Sequence, residues 1–321
     1  MFMNLDTVEY RASAIVRIAE TLYSIVMLLT LVSCSEPITV QTREMDRTYL
    51  IVEGLLTDRA GMDQYVKLSE SLPYFSGDDC PKVSGAQVVV SDGETETVFT
   101  ETTEGEYVAP EGFRARMGRT YRLDIEADVA GERHRYHAEA DMPDIGFTID
   151  RIDYTYDGKS RVKLDSLWTV LMWGKDDPVK RNIFLAGIAV NGNRIPLSSC
   201  LMIEDKFFNG KRIDTFPCGL LYQTAENRKR YGECAKYLEE GDVISVEGYA
   251  LSDEYFRFLM NIHGDGGGGS SNMPLFATQP ANPVTNVTGD GDVLGYFAVC
   301  ATAVASCTVT DPYQVINYNP L

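Results

Sequence analysis

Apolar and polar residues alternating with a period of two, turn residues at short intervals, and a single well-formed amphipathic helix predict a mainly β protein. The alternation is dense over residues 49–143 and looser over 144–321. We therefore expect an N-terminal immunoglobulin-like β-sandwich followed by a second antiparallel β-rich domain with one or two short helices.

The chain before residue 49 has a different character. Arg11 and Arg17 lead into an apolar run over residues 22–30, which ends in Leu31-Val32-Ser33-Cys34. The run is shorter than the roughly 20 apolar residues that span a bilayer, and it has the length of an export-signal core. Its end has the form of a lipobox, in which small residues precede a cysteine that is lipidated and becomes the first residue after cleavage. Polar Ser35-Glu36-Pro37 follows. Residues 1–33 are thus expected to be a lipoprotein signal peptide, Cys34 the lipidation site and residues 34–48 a tether. The expected location is the outer membrane, lipid-anchored on the periplasmic or cell-surface face. Asp6 and Glu9 are unusual in such a signal and point to a start codon further along.

Two basic and three acidic residues leave with the signal, which takes the net charge from −18 to −17. So acidic a surface repels nucleic acid and anionic headgroups. No nucleic-acid partner is expected, and the membrane is reached through the lipid anchor.

In the first domain, Tyr121, Leu123, Ile125 and Ala127 alternate with polar residues, and His134, Tyr136, Ala138, Ala140 and Met142 repeat the pattern. Strict alternation means a sheet with one wet face. Shorter candidates lie at residues 49–56, 64–69, 86–91, 97–101 and 105–109, with turns at Ser91-Asp92-Gly93 and Val129-Ala130-Gly131. Met142-Pro143-Asp144 breaks the pattern and marks the expected boundary.

The second domain opens with strand candidates at 147–156, 167–173 and 182–190. Asn191-Gly192 and Asn209-Gly210 read as hairpin turns, because Asn and Gly tolerate positive φ. Another strand is expected at 241–251. Ser252 caps a helix with Asp253 and Glu254 in its first turn and an apolar face of Tyr255, Phe258, Leu259 and Ile262, ending at Gly264. A weaker helix is expected over 225–238, and strands at 294–299 and 301–309. The glycine-rich stretch from Gly264 through Asp265, Gly266, Ser270 and Asn272 is expected to form a flexible loop and a ligand-binding rim.

Beyond Cys34 six cysteines remain: Cys80, Cys200, Cys218, Cys234, Cys300 and Cys307. An even number outside the cytoplasm points to disulfides, with buried free thiols as the alternative. Cys300 with Cys307 and Cys200 with Cys218 would close short loops.

No catalytic set and no cofactor is expected. His134 and His137 are three apart on a strand and so point to opposite faces, which argues against a metal pair. Asp290-Gly291-Asp292 lacks the glutamate that closes an EF-hand loop and reads as a turn. Asp176-Asp177 before Pro178 sits in a turn, where adjacent carboxylates diverge. Trp168, Trp173, Tyr154 and Tyr156 form either core or a binding cleft, with core preferred.

Several stretches in order resemble a known family. They are the lipobox at Cys34, Tyr49-Leu50-Ile51-Val52-Glu53-Gly54-Leu55-Leu56-Thr57-Asp58, Tyr65-Val66-Lys67-Leu68-Ser69 and Val83-Ser84-Gly85-Ala86-Gln87-Val88. Gly105-Glu106-Tyr107, Gly118-Arg119-Thr120-Tyr121-Arg122-Leu123, Asp176-Asp177-Pro178 before Asn182, Asp205-Lys206-Phe207-Phe208-Asn209-Gly210 and Leu294-Gly295-Tyr296-Phe297 follow. Together they resemble the Bacteroidota lipoproteins grouped as domain of unknown function 4249, over nearly the whole mature chain. The glycine stretch and the number of late cysteines depart from that pattern. The resemblance implies a two-part β protein often encoded beside TonB-dependent receptors. It implies a non-enzymatic accessory that captures ligand for such a receptor or covers its mouth. The competing expectation is a structural or adhesive surface lipoprotein that binds other protein chains by strand addition.

Overall fold

The computed structural model describes residues 47–59, 64–72, 78–158, 166–179, 181–194, 201–205, 209–223, 238–265 and 283–318. Among them the protein is mainly β, as expected. The strands are β1 (Leu50–Thr57), β2 (Tyr65–Glu70), β3 (Gln87–Ser91), β4 (Glu96–Thr103), β5 (Glu106–Val108), β6 (Thr120–Val129) and β7 (Glu132–Asp141). They continue with β8 (Phe147–Gly158), β9 (Ser166–Asp176), β10 (Ile183–Val190), β11 (Asn193–Arg194), β12 (Leu201–Glu204), β13 (Arg212–Gln223) and β14 (Val243–Ala250). Helix α1 (Asp253–Asp265) precedes β15 (Val287–Gly289), β16 (Val293–Cys300) and β17 (Thr302–Thr308). The cap on α1 is the predicted one: Tyr255 N–H donates to Ser252 Oγ at 3.1 Å. The second helix, expected over 225–238, falls almost entirely outside the described residues.

The first sheet has nine strands in the order β15-β7-β6-β3-β4-β5-β2-β1-β16. Its core is what the alternation predicts, with Leu50, Val52, Val66, Leu68, Val88, Leu123 and Ile125 all buried. The expected boundary near Met142 does not isolate this sheet, because its two ends come from the far end of the chain. β16 pairs in parallel with β1, from Leu50 opposite Val293 to Thr57 opposite Cys300, and β15 pairs with β7. Asn286 joins the two ends. Its carboxamide donates to Glu139 O and Phe297 O and accepts from Phe297 N–H at 2.9 Å. The arrangement is therefore barrel-like, and residues 49–143 supply only part of it.

Two further sheets come from the second half: β11-β10-β14-β17, with β12 also on β10, and β13-β9-β8. Asn191 and Gly192, at φ 52° and 79°, make the predicted hairpin turn between β10 and β11. Asn209-Gly210 does not make a hairpin. It carries the chain from β12, which pairs with β10, to β13, which pairs with β9.

Every residue of β10 is buried. Phe184, Ala186 and Ile188 join the main core, whereas Ile183 and Leu185 face a second apolar cluster with Tyr249, Phe258, Tyr296, Ala298 and Cys300. That cluster lies under α1, where Tyr255 stacks on Tyr296 and Phe258 packs tilted against it, with ring centroids 5.0 and 4.9 Å away. A strand covered on both faces reads as a continuous apolar run and loses its alternation.

The parallel pairing demands glycine at one point. Gly295 has φ +97°, and a Cβ there would lie 1.9 Å from Val52 O. Gly295→Ala is expected to cost about 3 kcal/mol, from strain and steric overlap together. Urea denaturation followed by circular dichroism measures it.

Candidate functional site

Several of the polar residues singled out in the sequence meet at a buried junction between the two smaller sheets. Asp176 at the end of β9 accepts Gly210 N–H at 2.8 Å and the Asn182 amide at 3.0 Å. Asp205 after β12 accepts Asn182 N–H at 2.8 Å, and its own N–H donates to Asn182 O. All three side chains are buried. Gly146 lets Asn182 in, since a Cβ at 146 would sit 1.6 Å from its Oδ1. Asp177 turns outward and accepts Val179 N–H at 2.9 Å, so the adjacent carboxylates diverge as expected. Burial pushes the Asp176 carboxyl up, against the hydrogen bonds from Gly210 and Asn182. A raised folded pKa means that the contribution of Asp176 to stability falls as pH rises through the carboxylate range. With their oxygens engaged by backbone and amide donors, Asp176 and Asp205 act as a structural clasp.

A second clasp lies in the first sheet. Tyr107 Oη donates to Val83 O and accepts Ala86 N–H, each at 2.9 Å. Glu101 accepts Gly85 and Gly105 N–H, also at 2.9 Å. These contacts account for the Val83–Val88 and Gly105–Tyr107 segments, and Gly105 adopts φ +70° against Leu68 O.

The histidines diverge as predicted. His134 Nδ1 lies 3.3 Å from Asp290 Oδ1, and His137 Nε2 lies 2.9 Å from Thr288 Oγ1. Asp290 also accepts Arg135 N–H at 2.8 Å, which is the main reason its carboxyl is held below the usual range. Asp290-Gly291-Asp292 is thus a turn between β15 and β16. Beside it Tyr136 Oη is buried without a hydrogen-bond partner among the described residues. Burial, reinforced by Asp290, Asp292 and Glu70, pushes this phenol up to about 12.

The four aromatics do not share a cleft. Tyr154 and Trp168 are buried, and both bond to the C-terminal segment, through Asp311 O at 3.0 Å and Pro312 O at 2.7 Å. Tyr156 packs on Trp168 and Tyr313, whereas Trp173 carries the Arg151 guanidinium 3.9 Å above its ring.

Cys80, Cys218, Cys300 and Cys307 are free thiols. Cys300 and Cys307, one of the two pairs that would close a short loop, are not bridged: Cys300 faces the cluster under α1 and Cys307 packs against the main core. Burial pushes the Cys218 and Cys300 thiols up to about 12 and Cys307 to about 11. Cys34, Cys200 and Cys234 lie outside the described residues. So do Gly266, Ser270 and Asn272 of the expected rim, while Gly264 and Asp265 close α1.

One cleft does gather polar side chains, at the end of the first sheet beside the β3–β4 turn. It is an open cleft of about 320 Å³ lined by Val90, Asp92, Thr95, Thr97, Gly112, Phe113, Arg114, Arg116 and Tyr121. The loop over residues 109–119 forms one wall and is pinned through its backbone. Ala115 N–H donates to Thr57 O at 2.8 Å and Arg116 N–H to Tyr121 Oη at 2.6 Å. Phe113 meets Phe99 edge-on at 5.7 Å. On the opposite wall Asp92 Oδ1 accepts Thr95 and Glu94 N–H, and Thr95 N–H is the main reason its carboxyl is held low. In the sequence Asp92 stands out only as a turn residue and Tyr121 only as a core position of its strand, and neither points to a cleft. The available signal was two arginines flanking one alanine in a strongly acidic chain.

The fold is thus that of a mainly β protein whose recurring polar residues serve as clasps. The model of a domain of unknown function, DUF4249, matches residues 35–306, and the chain belongs to that family. No curated protein matches it.

The carboxylate of Glu101 provides a pH test. Its pKa is lowered, chiefly by Gly85 N–H, so its contribution is present above the ordinary glutamate range and is lost as pH falls through the folded value. Glu101→Gln is expected to lower Tm by a few degrees at pH 7. The gap should close in melts run at increasingly acid pH, where wild-type Glu101 is protonated too.

Proposed function

We propose that this protein is a lipid-anchored outer-membrane lipoprotein that works without catalysis as a ligand-capturing partner of a TonB-dependent receptor. The observation that carries the reading is a coincidence of positions. The family region begins at residue 35, directly after the Leu31-Val32-Ser33-Cys34 sequence. A diacylglycerol on Cys34 would hold the β body at the membrane surface, and no helix among the described residues is long and apolar enough to cross a bilayer. The form of the body supports binding in preference to chemistry. Asp176, Asp205, Glu101 and Asp290 are held by backbone N–H groups, while the cleft at the end of the first sheet stays open to small molecules.

Strand addition finds little support at β13, a sheet edge. Pro217 removes a donor there, two register shifts interrupt its pairing with β9, and Thr215 adopts φ 68°. Edges broken in this way resist pairing with other chains.

The test is a pull-down from native membranes through a C-terminal tag, analysed by mass spectrometry beside a Cys34→Ala control. One stoichiometric TonB-dependent receptor is expected with the wild type and far less with the control. Recovery of the protein alone, or of its own oligomers, would overturn the receptor partnership and favour the adhesive alternative.

A further inference from the structure

The arginine-bearing cleft has a definite chemistry. Arg114 and Arg116 both line the cleft, on either side of the buried Ala115. Neither guanidinium has a carboxylate within ion-pair distance among the described residues, although the chain carries a net charge of −18. The neighbouring Arg119 is occupied by Glu94 at 2.7 Å. Two unpaired guanidinia on a pinned loop suit a planar carboxylate, which can accept from both in parallel.

The opposite wall offers different groups. Thr95 and Thr97 line it, and the second oxygen of Asp92 has no protein donor among the described residues. Those are partners for ligand hydroxyl groups. Val90, Phe113 and Tyr121 complete the lining. Counting charges, the lining holds Arg114 and Arg116 against Asp92 alone. That balance fits one negative charge; a phosphomonoester, with about −1.5 to −2, would press its extra charge on Asp92. The volume of about 320 Å³ lies at the small end of ligand pockets and suits a molecule of monosaccharide size.

We infer that this cleft binds a small polyhydroxylated monocarboxylate, of the sugar-acid class, with its carboxylate on Arg114 and Arg116 and its hydroxyls on Asp92, Thr95 and Thr97. The inference stands apart from the receptor partnership, since it concerns binding by the isolated protein, and the pull-down can succeed or fail independently of it.

Calorimetric titration of the full-length lipoprotein in detergent tests it, with glucuronate, glucose and glucose 6-phosphate as probes. Glucuronate is expected to bind at least tenfold more tightly than either of the others, and to weaken as salt screens the guanidinia. The double variant Arg114→Gln, Arg116→Gln should lose at least tenfold in glucuronate affinity. Both side chains are exposed and form no ion pairs among the described residues, so its melting curve should match the wild type. Glucuronate failing to bind, binding no better than glucose, or binding the variant equally would overturn the assignment. Glucose 6-phosphate binding more tightly would overturn the monoanion. Should the variant not fold, the ranking of the three probes on the wild type and its salt dependence still decide.

Discussion

β1 and β16 run in parallel along eight residue pairs, and this pairing joins the two halves of the chain. One face of β16 sends Phe297 and Val299 into the core of the first sheet; the other sends Tyr296, Ala298 and Cys300 into the cluster under α1. Just beyond it, Asp58 accepts both Thr302 N–H and its hydroxyl, which carries the link on into β17. The first sheet is closed by residues some 240 positions downstream of β1. Contacts of such sequence separation form slowly, because loop closure precedes their reward. The residues before Met142 supply most of this sheet but lack its two end strands until the chain is nearly complete.

This constraint explains what the sequence could and could not reveal. Alternation in β6 and β7 was unmistakable because one face of each is wet, and Tyr121, Leu123, Ile125 and Ala127 are buried as expected. The cap at Ser252 and the turn at Asn191-Gly192 were legible because their chemistry is local. The partner of β16 was not, since periodicity specifies which face is apolar and nothing about which strand lies alongside. For the same reason the apparent boundary at Met142 marks a real change of sheet and yet not a self-contained domain. Asn209-Gly210 misled because the positive φ of Gly210 serves a crossing between sheets, where its N–H meets Asp176, and a turn signal does not disclose its destination.

The family segments acquire a physical meaning in the same way. Thr57 and Asp58 end β1 and are held by Gln64 and by Thr302; Tyr107 and Glu101 hold the 83–86 loop; Asp176, Asn182, Asp205 and Gly210 hold the crossing between the two smaller sheets. Each is a buried or half-buried polar group whose partner is mostly backbone, placed where the chain leaves regular pairing. Such groups carry a large penalty if left unmatched, which makes their residue types hard to exchange without any demand from a ligand.

The cleft inverts that pattern. Its loop is fixed by the backbone N–H groups of Ala115 and Arg116, and its guanidinia take no part in holding it. In a chain with 47 acidic residues, an arginine side chain has carboxylates available nearly everywhere, as Arg122, Arg133, Arg135 and Arg181 illustrate. Arg114 and Arg116 have no such partner among the described residues. The loop that carries them is held by its backbone, and the net negative charge of the chain, screened over about 8 Å at physiological salt, leaves such a pair of cations in contrast with their surroundings. A small monoanion reaching this cleft meets two guanidinia without a carboxylate partner among the described residues, beside Asp92, Thr95 and Thr97.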